Sequence, residues 1–157
     1  MFKKEGVFEK VENPTEQQKK KALMIHCFVI EKRDGRIKAR AVADGRSQQR
    51  YTEEETYSPT VKLESIMLNA FIDAHEGRHV ATVDIKGVFL KAKVPDHLDL
   101  IVKMSGKLMN LMCEIDLSLR SEDQSVMYLR CKKALYGHIE AARLFYDDLN
   151  NTLKKKN

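Results

Sequence analysis

Ala22-Leu23-Met24-Ile25-His26-Cys27-Phe28-Val29-Ile30, then Arg33-Asp34-Gly35-Arg36, then Ile37-Lys38-Ala39-Arg40-Ala41-Val42-Ala43 is the stretch that decides how this chain is read. An apolar arm, a turn built around glycine and an alternating return arm spell a β-hairpin over residues 22–44. Side chains alternate across a strand, so the return arm places Lys38 and Arg40 on one face and Ile37, Ala39 and Ala41 on the other.

Outward from the hairpin, residues 1–21 are polar, with Lys19–Lys21 as a basic run and Pro14 as the only breaker, and read as a loosely held lead-in. A polar loop from Gly45 to Ser58 ends at Pro59. Leu63, Met67, Ala70, Phe71 and Ala74 recur at three- and four-residue spacing, predicting a helix over 63–76 with Gly77 as its C-terminal cap. His79–Ile85 reads as a short buried strand, with Ala81, Val83 and Ile85 on one face and Val80, Thr82 and Asp84 on the other. Further strands are expected at Leu98–Lys103 and Val126–Lys132, with a short helix near Leu108–Ile115 between them. Ile139–Leu153 closes the order as a helix whose apolar face carries Ala142, Phe145, Leu149 and Leu153. Strands and helices mixed without strict alternation predict an α+β domain spanning residues 22–157.

Of the 157 residues, 43% are hydrophobic and 32% charged, enough apolar material for a core and against wholesale disorder. No apolar run approaches the roughly eighteen residues that a bilayer span needs, and MFKKEGVFEK at the start lacks an apolar signal core. Cys27, Cys113 and Cys131 lie far apart without CxxC spacing, which argues against a zinc knuckle or a disulfide framework. An intracellular, cytoplasmic protein with no membrane partner is the expectation. Residues 1–50 carry 13 Lys/Arg against 7 Asp/Glu, so the whole surplus of the +5 chain sits at its front. That asymmetry describes either a surface for phosphates or a well-solvated lysine-rich face.

Asp84 is the first candidate for chemistry. A carboxylate among Thr82, Val83 and Ile85 is costly to bury unless it binds a cation or is well hydrogen-bonded. It reads either as an oxygen ligand for a hard divalent ion such as Mg²⁺, or as a strand-end aspartate facing solvent or capping the next turn. The five histidines show no metal-ligand spacing, and no nucleophile-elbow motif occurs.

Four blocks then carry a resemblance. Arg36-Ile37-Lys38-Ala39-Arg40-Ala41-Val42-Ala43-Asp44-Gly45-Arg46 resembles the fingers strand of copia-type (pseudovirid) LTR-retrotransposon reverse transcriptases. Tyr57-Ser58-Pro59-Thr60-Val61 resembles that family's F-S-P-V-V stretch, and Val83-Asp84-Ile85-Lys86-Gly87-Val88-Phe89-Leu90 its polymerase motif A. Lys132-Lys133-Ala134-Leu135-Tyr136-Gly137, with Ala141, Ala142 and Arg143 beyond, resembles its motif B. Each block alone is weak evidence; four in the right order over roughly residues 20–150 are specific.

The resemblance implies a fingers hairpin plus a partial palm. Asp84 would be the motif A carboxylate, with the backbone carbonyl of Ile85 beside it, in a two-Mg²⁺ site for phosphoryl transfer. Phe89 would be a steric gate against a ribose 2′-hydroxyl, where the residue by itself reads as an ordinary core phenylalanine. Lys38 and Arg40 would face the triphosphate of a deoxynucleoside triphosphate, either one in contact or both merely solvated. Tyr136 and Gly137 would back the templating pair. Arg36, Arg46, Lys133 and Arg143 would touch an RNA or DNA template–primer. Departures are Glu140 for the usual Gln, which would place a carboxylate near a polyanion, Ala142 for Pro, and Gly87-Val88 for Thr-Ala. The family's Y-V-D-D hairpin, motif C, is expected to be missing from these residues. Phe145-Tyr146-Asp147-Asp148 fits that pattern only formally, because a polar, helix-compatible sequence follows it.

The resulting expectation is a fragment of a retrotransposon RNA-directed DNA polymerase, catalytically incomplete with one carboxylate of three; the resemblance also implies the rest of a polyprotein as a partner and association with a particle. The alternatives are a non-enzymatic basic nucleic-acid-binding remnant and a non-functional piece of a decayed element with an aggregation-prone sheet edge.

Overall fold

The computed structural model describes residues 6–48, 56, 58–120 and 125–155. Its centre is the hairpin. Strands β2 (Leu23–Glu31) and β3 (Ile37–Ala43) pair antiparallel, with Phe28 opposite Arg40 and Ile30 opposite Lys38. Gly35 supplies the turn at φ 75°, a value that favours glycine, and the Lys32 amide donates to the Arg36 carbonyl at 2.9 Å to close it. Asp34 caps the turn, accepting from the Arg36 amide at 3.1 Å and from its guanidinium at 2.6 Å.

Only the root of the hairpin belongs to the core. Leu23, Ile25 and Ala43 are buried, whereas Phe28, Val29, Ile30 and Ile37 are all more than half exposed. The reason lies in the sheet, whose order is β1-β5-β4-β2-β3. β4 (Ile101–Ser105) runs parallel to β2 but meets it only at Leu23 and Met24, so the hairpin outruns its neighbour and projects. β5 (Val126–Cys131) lies antiparallel to β4 over its whole length and carries Met127, Leu129 and Cys131 inward. Leu23, Leu100, Met104, Leu129, Leu135, Val7 and Val102 are the largest of the fully buried side chains among the described residues.

Residues 1–21 are not a loose lead-in over the part described. β1 (Phe8–Lys10) pairs with β5, and Val7 just before it is completely buried. α1 (Glu16–Lys21) follows, opened by a capping box in which the Thr15 hydroxyl accepts from the Gln18 amide and the Gln18 side chain accepts from the Thr15 amide. Three residues give no readable period, so the strand is invisible in a sequence dominated by lysine and glutamate. Asp99, at φ 35° in the left-handed region, holds this end in place: its carboxylate accepts from Arg130 Nε and from Gln18 Nε2, both at 2.9 Å. The turn around Asp99 also delays the fourth strand to Ile101, beyond the expected start at Leu98.

The helices fall where periodicity puts them. α2 (Leu63–His75) ends at Gly77, φ 64°, where the Arg78 amide donates to the Asp73 carbonyl at 2.8 Å, closing a Schellman motif. α3 (Gly106–Ile115) covers β4, and α4 (Ala141–Lys154) follows the motif B-like segment. Two expectations fail. His79–Ile85 forms no strand, and Val80 and Val83 are 69% and 86% exposed. A period of two specifies a face, but a strand also needs a partner, and among the described residues none pairs with this segment. The apolar stripe of α2 is likewise uncovered, with Leu63, Met67 and Phe71 all more than 60% exposed. Of the loop expected over 45–58, Gly45–Ser47 is a short 3₁₀ turn, while residues 49–55 and Tyr57 lie outside the described residues.

These burials make a direct contrast. Leu129→Ala is expected to lower stability by about 2–5 kcal/mol in urea denaturation. Met67→Ala, on the uncovered stripe of α2, should change it by less than about 0.5 kcal/mol; equal losses would mean that α2 is packed in solution.

Candidate functional site

β3 forms one wall of a cleft of about 500 Å³, with Lys38, Arg40, Asp84, Ile85, Lys86 and Tyr136 among its lining and Leu90 and Leu135 beneath. Alternation along β3 puts Lys38 and Arg40 on one face and Ala39 and Ala41 on the other, and residues of both faces line the cleft together with the segment that carries Asp84. Gly87, at φ 63°, turns the chain into the short 3₁₀ turn Val88–Lys91, which buries Leu90 and aims Phe89 at Tyr136. The two rings meet edge to face, centroids 4.7 Å apart, and the ring of Phe145 of α4 is also edge-on to Phe89, centroids 6.4 Å apart.

The opposite wall hangs on one joint. Where β3 ends, the Ala43 amide donates to the Tyr136 carbonyl at 2.7 Å. Gly137 then takes φ 86°, packed so closely on the Ala43 carbonyl and the Val42 side chain that a Cβ would have no room. Gly45 meets the Gly137 carbonyl in the same way. Gln48 spans the gap between the two segments. Its side-chain carbonyl accepts from the Ile139 amide at 3.0 Å, and its amide nitrogen donates to Glu140 Oε2 at 2.7 Å.

The structure therefore gathers Lys38, Arg40, Asp84, Ile85 and Tyr136 around one cleft, with Gly137 at its hinge and Phe89 packed behind Tyr136. It does not gather the other four cations there. Arg36 is bound to Asp34 at the hairpin tip, Arg46 to Asp44 at 2.6 Å, and Arg143 to Asp147 one helical turn away at 2.9 Å. Lys133 donates to the Lys91 carbonyl at 3.3 Å. Glu140 does not present a carboxylate to a polyanion. It is 6% exposed and turned inward onto His138 and Gln48. Lys32 and Lys86, which also line the cleft, were missed by sequence reasoning; the adjacency of Lys86 to Asp84–Ile85 was the only available signal. Gln48 and His138 gave none, since a single sequence does not reveal burial.

Electrostatics separates structural groups from available ones. The Arg46 guanidinium, bonded to Asp44, holds that carboxyl well below the usual carboxylate range. Burial pushes the Cys131 thiol up to about 12, which makes it a core side chain rather than a nucleophile. His138 is pushed below its ordinary value by burial, with Glu140 opposing the shift.

A pair of divalent ions needs several convergent oxygen ligands. Among the described residues, no group of three or more His, Cys, Asp or Glu side chains could hold an ion, and Asp84 is the one carboxylate lining the cleft. This residue set does not fit a two-metal centre. Phe145–Asp148 supplies no further ligand, because all four residues lie within α4, where Asp147 is bound to Arg143.

The mixed α+β domain thus sets two strand-borne cations and one carboxylate around an open cleft. A family profile described as reverse transcriptase (RNA-dependent DNA polymerase) matches residues 5–157, and the chain belongs to that family. Family members use divalent metal ions and act on a nucleic-acid template with nucleotide substrates. No curated protein and no solved structure matches the chain.

Because Gly137 combines a left-handed backbone with a filled Cβ position, Gly137→Ala should lower stability by about 2–5 kcal/mol. Urea denaturation checks this, and a loss below about 0.5 kcal/mol would show that the joint is looser in solution.

Proposed function

We propose that this chain is the fingers hairpin and first part of the palm of a copia-type reverse transcriptase, and that as a 157-residue polypeptide it binds nucleotide without polymerising it. The observation that carries this reading is that Lys38 and Arg40 of β3 line one cleft with Asp84 and Tyr136. The cations bind and orient a deoxynucleoside triphosphate through its phosphate oxygens, with arginine offering two parallel donors. Tyr136, held edge-on by Phe89, gives a fixed surface for the base or sugar, and Phe89 behind it restricts what fits at the sugar. Template–primer lies along the hairpin, where Arg36 stands at the tip. In the family, Mg²⁺ supplies charge neutralisation for the transfer. Here the described residues offer Asp84 and the Ile85 carbonyl alone, and phosphoryl transfer depends on that charge being met. In an intact particle the missing carboxylates would come from elsewhere in a polyprotein.

A second reading, a basic nucleic-acid-binding remnant, is favoured by the lining of the cleft, where Lys32, Lys38, Arg40 and Lys86 outnumber one carboxylate. Primer extension on an RNA template, with Mg²⁺ and with Mn²⁺, tests the main proposal. The expected result is no extension above background by the wild-type chain or by Asp84→Asn. Extension that Asp84→Asn abolishes would mean that these residues assemble a complete catalytic site. No extension together with template binding insensitive to deoxynucleoside triphosphate, yet weakening steeply with salt, would favour the second reading.

A further inference from the structure

His138 and Glu140 are the two buried polar residues of the described chain, and neither has a role in the cleft as argued so far. Their side chains are 0% and 7% exposed, and His138 Nε2 lies 2.8 Å from Glu140 Oε2. The same Oε2 accepts from Gln48 at 2.7 Å, while neither ring nitrogen of His138 nor Glu140 Oε1 makes a hydrogen bond among the described residues. A buried polar cluster with unpaired atoms is costly, and a histidine within one responds to protons. The cluster sits directly behind the joint where the Ala43 amide meets the Tyr136 carbonyl.

We propose that Gln48, Glu140 and His138 form a proton-sensitive latch that fixes the root of the β2–β3 hairpin to the Tyr136–Gly137 turn, and thereby sets Lys38 and Arg40 over the cleft. Gln48 reaches from the hairpin side, His138 and Glu140 stand on the turn side, and no other side chain is bonded to both segments among the hydrogen bonds described. With the ring neutral, the cluster carries no unmatched positive charge. Protonation would make donors of both ring nitrogens where neither makes a hydrogen bond, an arrangement opposed only by the attraction of Glu140 Oε2 at 2.8 Å. Burial holds the ring's affinity for protons below its ordinary level. The sign follows: the latch contributes fully above about pH 6.5 and weakens as pH falls below it, because the opened state takes up the proton first. Other charged groups on the elements that meet here are already engaged, Asp44 by Arg46 and His26, and Arg143 by Asp147. Protonating His26 would strengthen its 3.7 Å contact with Asp44, so its effect has the opposite sign.

What the cleft binds rests on the function proposed above, but the latch can be read with no nucleotide present, so the two fail separately. The measurement is hydrogen-exchange protection of the Ala43 amide in the full chain at pH 7.5 and 5.5, corrected for intrinsic exchange. The Cys131 amide, which donates to the Leu100 carbonyl at 2.9 Å within the sheet, is the control. The expected result is a fall in Ala43 protection of up to about tenfold on acidification, with Cys131 unchanged. Gln48→Ala should lower Ala43 protection at both pH values, His138→Phe should flatten the pH response, and His26→Gln should keep it. If His138→Phe does not fold, Gln48→Ala and the wild-type pH response still decide. Protection that is flat with pH, that survives Gln48→Ala, or that falls equally at Ala43 and Cys131 would overturn the latch.

Discussion

A single close approach of two backbones organises this molecule. The Ala43 amide bonds to the Tyr136 carbonyl while Gly137, free of a Cβ, lets the chain press against the end of β3. Residues almost a hundred positions apart become the two facing walls of one cleft through this contact. Ala43 is itself buried, so the contact ties the projecting hairpin to the core that Leu23, Ile25 and Leu135 share. Without it, Lys38 and Arg40 would ride on a two-stranded arm with exposed apolar sides and no fixed relation to Asp84. Isolated hairpins of that kind are marginal in water.

The cleft assembled in this way is one-sided. Its cations are positioned by strand geometry and its aromatic wall by edge-to-face packing, both rigid devices. Its acidic side is Asp84, on a segment that pairs with no strand among the described residues. Ligand binding and phosphoryl transfer thus separate physically in this chain. On the proposed reading, the cations that would hold a phosphate are built into the sheet, and among the described residues the groups that would drive its transfer are not gathered.

Much of this was legible in the sequence where a local rule was sufficient. The hairpin, its turn, α2 with its glycine cap, β5 and α4 each follow from periodicity over six or more residues plus a terminating signal. Two of the cleft's cations were legible for the same reason, since alternation alone puts Lys38 and Arg40 together, whereas Lys32 and Lys86 were not. What failed depended on partners far away in the chain. Val7 and β1 are buried by β5, which three residues do not announce. His79–Ile85 has the alternation of a strand and lacks the neighbour. Glu140 reads as an exposed charge beside a polyanion and is instead turned inward onto His138, a fact set by the fold around Gln48.

The central claim is that the wall of β3, the Asp84 segment and the Tyr136 turn form one nucleotide site. Backbone chemical-shift mapping of a deoxynucleoside triphosphate onto the full chain tests it most directly. The expected result is perturbation concentrated at residues 38–41, 84–87 and 135–136, lost in the Lys38→Ala/Arg40→Ala double variant. Shifts that are absent, or that centre on another face and survive that double substitution, would contradict it.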